Sequence, residues 1–168
     1  SILFWVFHLI TGPSVRLLVH RIFKTTYQDL LEINQHNGPS TWFNRRMADR
    51  LLRLTNYDQG SKSRAITDLA LTALNLGHVS IRLRSICEGL AGKRLESLEV
   101  WQKSLANAFL EASKGRFDDQ FEKASDSLYA DLDSLVEDSS QVEAVKGMFL
   151  RINLTFERSA EAIAAQRA

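Results

Sequence analysis

Apolar residues recur every three or four positions along most of the chain, which is the spacing of an amphipathic α-helix. The clearest stripe lies in the stretch 14–35 and runs through Ile22, Phe23, Leu30 and Ile33. Similar stripes predict helices from residue 40, over 61–89, 95–113 and 118–136, and from residue 141 to near the end. Glycine, proline or small polar clusters separate these stretches. The pattern predicts an all-α protein, an antiparallel helical bundle of about five to six helices.

The stretch 61–89 is apolar around much of its girth, so we expect it to lie centrally in the bundle. Gly77 lies inside this stretch, where it costs about 1 kcal/mol relative to alanine. A close approach by a neighbouring helix is the compensation that we expect.

The first ten residues are nearly all apolar, and they supply about half of the length that a membrane-spanning helix needs. A basic segment, 16–24, follows directly, as is typical where a transmembrane helix leaves the bilayer on the cytoplasmic side. We therefore interpret residues 1–12 as the end of a transmembrane helix or an apolar leader. Residues 13–168 then form a single cytoplasmic helical-bundle domain.

Charge is unevenly divided along the chain, although the formal net charge is only +1. Residues 1–84 contain 11 Lys/Arg and 5 Asp/Glu, whereas residues 85–168 contain 10 and 15. The two halves can pack against each other in one bundle, or the basic half can face anionic lipid headgroups. Nucleic acid is the weakest interpretation, because the basic residues are spread over three helices, and we expect no such partner.

The sequence contains no motif that indicates catalysis or cofactor binding. No two of the four histidines are four residues apart, and Cys87 is the single cysteine, so metal-ligand spacings are missing. Phosphate-binding glycine loops and nucleophile elbows are missing as well. The acidic residues of 118–138 alternate with Lys123 and serines, as on a solvated helix face. We expect a protein that is not an enzyme and that holds neither a metal nor a cofactor.

Arginines are concentrated in the segment 42–53. Arg46 and Arg50 are four residues apart and Arg53 follows three residues later, so the three guanidinium groups lie along one side of a helix. The segment predicts either a partly buried network of Arg–Asp pairs between helices or a site for an anionic ligand or lipid phosphate. The candidate substrate- or anion-binding residues are Arg45, Arg46, Arg50 and Arg53, and the candidate structural ion-pair residues are Asp49, Asp68, Arg82 and Arg84.

Three runs in this region resemble the fusaric acid resistance family, which includes the aromatic carboxylic acid exporters. They are Trp42–Leu51 (WxxRRMxDRL), Asp68–Ala70 (DLA) and Gly77–Arg84 (GxxxIRLR), and they resemble the region after the last transmembrane helix of that family. The resemblance covers roughly residues 1–85. Ala70 stands where the family has an arginine, which indicates a distant or subfamily member.

The resemblance implies an inner-membrane efflux transporter that exports aromatic carboxylic acids or related compounds. This chain would be its C-terminal cytoplasmic domain, with a structural or oligomerising role or a role in gathering substrate. The implied partners are the rest of the transporter chain and the membrane, with a homo-oligomer and a periplasmic adaptor protein as further partners. The alternative hypothesis is a stand-alone helical protein-interaction module, an adaptor or scaffold.

Overall fold

The computed structural model describes residues 19–56, 61–89, 95–134 and 139–165, and these residues form an all-α, antiparallel helical bundle, as predicted. Helix α1 covers residues 19–32 and continues into a 3-10 turn, Ile33–Gln35. The other helices are α2 (Pro39–Asn56), α3 (Ser61–Gly89), α4 (Leu95–Ser113), α5 (Gln120–Asp133) and α6 (Ser139–Ala165). The proposed transmembrane end or leader, residues 1–12, lies outside the described residues. None of the described helices combines the length and the apolar character that crossing a bilayer requires.

The observed bounds agree closely with the hydrophobic pattern, and α3 and α4 have the predicted bounds. Helix α5 was expected to begin at Asp118 but begins at Gln120. The reason is local, because Asp118 Oδ1 accepts a hydrogen bond from the backbone N–H of Gln120 at 3.1 Å. Asp118 therefore lies ahead of the N-cap residue, Asp119, and its side chain satisfies the N–H group of the first helical residue.

Helix α3 lies centrally, as predicted, because it packs against α2, α4 and α6. Helices α4, α5 and α6 also pack against one another. Trp101 of α4 is fully buried among them, with its ring centroid 5.9 Å from Phe121 and 5.2 Å from Phe149. Its indole Nε1 donates a hydrogen bond to Ser125 Oγ at 3.0 Å, so the polar atom of this large side chain is satisfied inside the core.

Gly77 allows the close contact between α2 and α3. A Cβ atom at this position would lie 2.3 Å from Cε1 of Phe43, whose ring is buried. Real Cβ atoms do not approach other carbons so closely, so the aromatic ring occupies the space that a side chain would need. The expected close helix approach at Gly77 is confirmed.

The described part of α1 contacts α4 at two places. In its first turns, the rings of Phe23 and Phe109 have centroids 5.5 Å apart. Near its end, the buried Gln102 donates a hydrogen bond from Nε2 to the Leu30 carbonyl at 2.7 Å. Asn34 Nδ2 in turn donates to Gln102 Oε1 at 3.2 Å. The candidate site lies on another side of α1, between α1 and α2.

Candidate anion-binding site

A buried carboxylate, Asp29, lies at the centre of the contact between α1 and α2. It is 3% exposed, and it follows Ile22 by seven residues and precedes Ile33 by four, so all three lie on the inward face of α1. Arg46 Nε donates a hydrogen bond to Asp29 Oδ2 at 2.8 Å. Arg50 Nη2 donates to the same oxygen. Residues 46 and 50 are one helical turn apart, so α2 presents both guanidinium groups to one carboxylate.

Arg50 is the buried cation of this group, with only 8% of its side chain exposed. Its Nη1 donates to Thr26 Oγ1 at 3.0 Å and approaches Met47 Sδ at 3.5 Å. The Thr26 hydroxyl in turn donates to the backbone carbonyl of Ile22 at 2.8 Å. A charge can stay in the interior when it is both paired and hydrogen-bonded, and Arg50 meets both conditions.

Arg46 is the half-open member of the pair, with 42% of its side chain exposed. The hydrogen bond that it donates to Asp29 raises the pKa of the Arg46 guanidinium, so this group stays charged. Its Cζ atom lies 5.2 Å from the ring centroid of Trp42, within the range of a cation–π contact. The Trp42 ring also stacks on His36, with centroids 3.6 Å apart and an angle of 12° between the planes. Arg46 is therefore held by a carboxylate and an aromatic ring.

An open cleft of about 230 Å³ lies beside this network, between α1 and α2. It is lined by Arg21, Ile22, Thr25, Arg46, Asp49, Arg50 and Arg53. Arg53 Nη2 lies 3.2 Å from Asp49 Oδ2, the pair that the four-residue spacing predicts, and both side chains are about 60% exposed. With four arginines against Asp49 and the adjoining Asp29, the cleft carries an excess of positive charge.

The lining residues have the chemistry of an anion-binding site. Guanidinium groups offer paired N–H donors that match the oxygen atoms of a carboxylate or a phosphate. The one hydroxyl of the lining, that of Thr25, donates to the backbone carbonyl of Arg21 at 2.7 Å and has no histidine beside it in the lining. In the described part of the chain, no group of three His, Cys, Asp or Glu side chains could hold a metal ion.

The structure brings together three of the four arginines that the sequence singled out. Arg46, Arg50 and Arg53 line the cleft, together with Asp49. Arg45 is exposed and does not line the cleft, because it lies on another side of α2. The cationic side of α2 therefore consists of the residues at positions 46, 50 and 53.

The remaining candidates for an ion-pair network lie on α3, away from the cleft. Asp68 and Arg82 are exposed, and neither belongs to an ion pair whose two members are both described. Arg84 is half-buried and does not line the cleft. The acid that pairs with Arg46 and Arg50 of α2 is Asp29 of α1.

Sequence reasoning overlooked Asp29, Thr26 and Arg21. A signal was nevertheless present for Asp29, because its spacing from Ile22 places an acid within the apolar stripe of α1. A charged residue at an inward position is rare unless it is paired, and it implies a cationic partner on a neighbouring helix. The same spacing places Thr26 on that face, four residues after Ile22.

Comparison with known protein families gives a match to the Fusaric acid resistance protein family over residues 1–163. Comparison with curated proteins and with solved structures found no match. The proteins of the matched family are membrane proteins, and the family has a transport-related function. The match covers nearly the whole chain, including the helices beyond residue 85 that the sequence resemblance did not reach. The chain therefore belongs to the fusaric acid resistance protein family.

Proposed function

We propose that the chain is a cytoplasmic domain of an inner-membrane efflux transporter that exports aromatic carboxylic acids or related compounds. Family membership supports a transport-related role, and the apolar opening followed by a basic segment supports a position just after a transmembrane helix. The observation that carries the proposal is the arginine-lined cleft, whose positive charge suits an anionic substrate. The proposal includes no catalytic step.

Two roles are compatible with this position in a transporter. The cleft can raise the local concentration of anionic substrate beside the membrane part. The bundle can also stabilise or oligomerise the transporter, with the rest of the transporter chain as its first partner. A homo-oligomer and a periplasmic adaptor protein that contacts the full-length transporter are further partners in this proposal.

The gathering role is tested by titrating the 168-residue chain with benzoate, a simple aromatic carboxylate. We expect saturable binding in the millimolar range, weakened by Arg53→Gln. Arg45→Gln is the matched control, because it removes the same charge from an exposed position of α2 outside the cleft. A chain that binds no benzoate at millimolar concentration has no gathering role, and the structural role then stands alone.

The cytoplasmic location is tested in the full-length transporter by labelling with a membrane-impermeant maleimide. Cys87 is replaced by serine, and a single cysteine is introduced at Asn107, which is exposed on α4. We expect labelling only after the cells are opened. Labelling of cells whose outer membrane is permeable but whose inner membrane is intact would place the domain on the periplasmic side.

The open reading frame that encodes the chain separates the transporter from the alternative, a stand-alone interaction module. A transporter requires several apolar segments of about 20 residues encoded ahead of residue 1. An open reading frame without such segments would favour an adaptor or scaffold.

A further inference from the structure

The wall of the cleft is suited to a compact anion. Four of the lining side chains are guanidinium groups, and Ile22 is the one purely apolar contributor. Ile22 is itself 5% exposed, so it offers little surface against which a planar ring could pack. A phosphate group bound here would place its oxygen atoms against guanidinium donors from both helices.

The donors differ in how far they are already engaged. Arg46 and Arg50 both donate to Asp29, and Arg50 lies buried behind the open part of the cleft as a fixed positive charge. Arg21 is exposed, and it forms no ion pair with any other described residue. Arg53 is held by Asp49 in an exposed pair, which is weak and exchangeable.

We propose that this cleft binds a phosphate group, with Arg21 and Arg53 as its exposed donors and Arg50 as the buried charge behind them. Arg21 comes from α1 and Arg53 from α2, so the bound group bridges the two helices. Phosphate presents several acceptor oxygens and up to two negative charges, and both properties suit donors that arrive from two directions.

The phosphate can come from a lipid headgroup or from a soluble compound. The cleft lies where the described part of α1 begins and α2 approaches its end, so Arg21 follows the apolar opening segment closely in the chain. This order favours a headgroup, and that source rests on the proposed function, in which the opening segment leaves the bilayer. Recognition of phosphate itself does not depend on the proposed function.

Asp49 competes with a bound phosphate for the Arg53 guanidinium. Its carboxylate pairs with Arg53, and it is the one acidic side chain in the lining. A bound phosphate has to displace it or accept its repulsion. Removing the Asp49 charge is therefore expected to tighten phosphate binding, an effect that a purely structural Arg53–Asp49 pair would not produce.

The test is an NMR titration of the full 168-residue chain with inorganic phosphate up to about 50 mM at constant ionic strength. We expect saturable amide shifts concentrated at positions 21–25 and 46–53. Arg53→Gln should weaken binding by about two- to fivefold and Asp49→Asn should tighten it by a similar factor, the range of exposed charge pairs. Arg45→Gln, the matched control, should bind like the unchanged chain. Equal weakening by Arg53→Gln and Arg45→Gln, or no response to Asp49→Asn, would overturn the site.

Two further titrations separate the sources and the ligand classes. Binding to vesicles of phosphatidylcholine with phosphatidylglycerol is compared with binding to vesicles of phosphatidylcholine alone. The apolar opening segment can enter any bilayer, so the variants are also compared with the unchanged chain on the same vesicles. If the chain prefers the vesicles with phosphatidylglycerol and Arg53→Gln loses that preference, the phosphate belongs to a lipid headgroup. If the chain binds inorganic phosphate but shows no such preference, the source is a soluble compound. Benzoate that binds the cleft more tightly than phosphate would overturn this inference and support the gathering role instead.

Discussion

Asp29 shows how one buried side chain organises its surroundings. Its carboxylate receives hydrogen bonds from two arginines that are one turn apart on α2. One of these, Arg50, is buried, and the Asp29 carboxylate is its counter-ion there. At the other extreme, the Arg53–Asp49 pair has the same chemistry but is exposed to water on both sides. Burial, more than the kind of ion pair, decides how much each pair contributes to stability.

Asp29→Asn should lower the free energy of unfolding by about 3–5 kcal/mol, because it leaves the buried Arg50 charge without its counter-ion. Asp49→Asn is the control, and it should change the same quantity by about 1 kcal/mol or less, because its pair is exposed. Urea unfolding of both variants measures the difference. Equal effects of the two substitutions would contradict the role assigned to Asp29.

Gly77→Ala should destabilise the protein, because the added Cβ meets the ring of Phe43 at 2.3 Å. Overpacking of this kind costs about 1–3 kcal/mol, and the better helix propensity of alanine offsets about 1 kcal/mol of it. Gly147→Ala has the opposite expectation, because a Cβ at that position of α6 meets nothing within 4 Å. It should therefore raise stability by up to about 1 kcal/mol. Thermal unfolding of the two variants should give shifts of opposite sign.

At the scale of elements, α1 depends on contacts with other helices for its position. Gln102 of α4 donates to the Leu30 carbonyl, one of the acceptors that the end of a helix leaves without an internal partner. At the start of α5, Asp119 forms an ion pair with Lys123 one turn later, at 2.9 Å. The Gln102–Leu30 hydrogen bond joins two helices, whereas the Asp119–Lys123 pair is exposed and local to the start of one helix.

Gln102→Leu should loosen the end of α1 selectively. The substitution leaves the buried Leu30 carbonyl without its donor, at a cost of about 1–3 kcal/mol. Amide hydrogen exchange should therefore accelerate in α1 while the amides of α6 keep their protection. Gln141→Leu, at an exposed position of α6, serves as the control and should leave α1 unchanged. Uniform loss of protection would contradict a local role for Gln102.

The start of α5 should respond to pH through Asp119. The hydrogen bond from Lys123 and its positive charge lower the pKa of Asp119 below its ordinary value of 3.8. The stabilisation is therefore present above that ordinary value and is lost as the pH falls through the lowered pKa. Lys123→Gln should raise the pKa of Asp119 towards 3.8, and Lys123→Arg should keep it low. The pKa of the Asp119 carboxyl is measured by NMR. The same pKa in both variants would contradict this assignment.

At the scale of the whole molecule, apolar packing joins the basic half to the acidic half. Helix α3 of the basic half packs against α4 and α6 of the acidic half. Each ion pair whose two members are both described joins residues of the same half. The buried core includes side chains from both halves, such as Phe43, Leu76, Trp101 and Phe156. In the described part of the chain, apolar packing therefore joins the two halves of opposite net charge.

Sodium chloride should consequently have little effect on stability. Raising its concentration from about 0.05 to 0.5 M shortens the Debye length severalfold, yet we expect the free energy of unfolding to change by less than about 1 kcal/mol. Urea unfolding at the two salt concentrations measures this. A much larger loss at high salt would show that attraction between the halves stabilises the fold.

The sequence by itself determined the elements of this protein and much of its core. Helix formation and termination depend on neighbours within a few positions, so periodic apolar residues predicted the helices and placed Leu30 and Ile33 inward. The same local reasoning predicted the close approach at Gly77 and one cationic side of α2. At the start of α5, where the Asp118 side chain accepts a hydrogen bond from the backbone N–H of Gln120, the boundary moved by two residues.

Only the tertiary structure decided which charges meet. Asp29 lies 17 residues before Arg46 in the chain, and their contact depends on the rotation and axial register of α1 against α2. That register is set by the packing of many apolar side chains and by anchors such as Gln102, none of which appears in a local pattern. Arg45 and Arg46 lie on different sides of α2, and the position of α1 decided that the side with Arg46 became the wall of the cleft. The shape and charge of the cleft are therefore properties of the packed helices together.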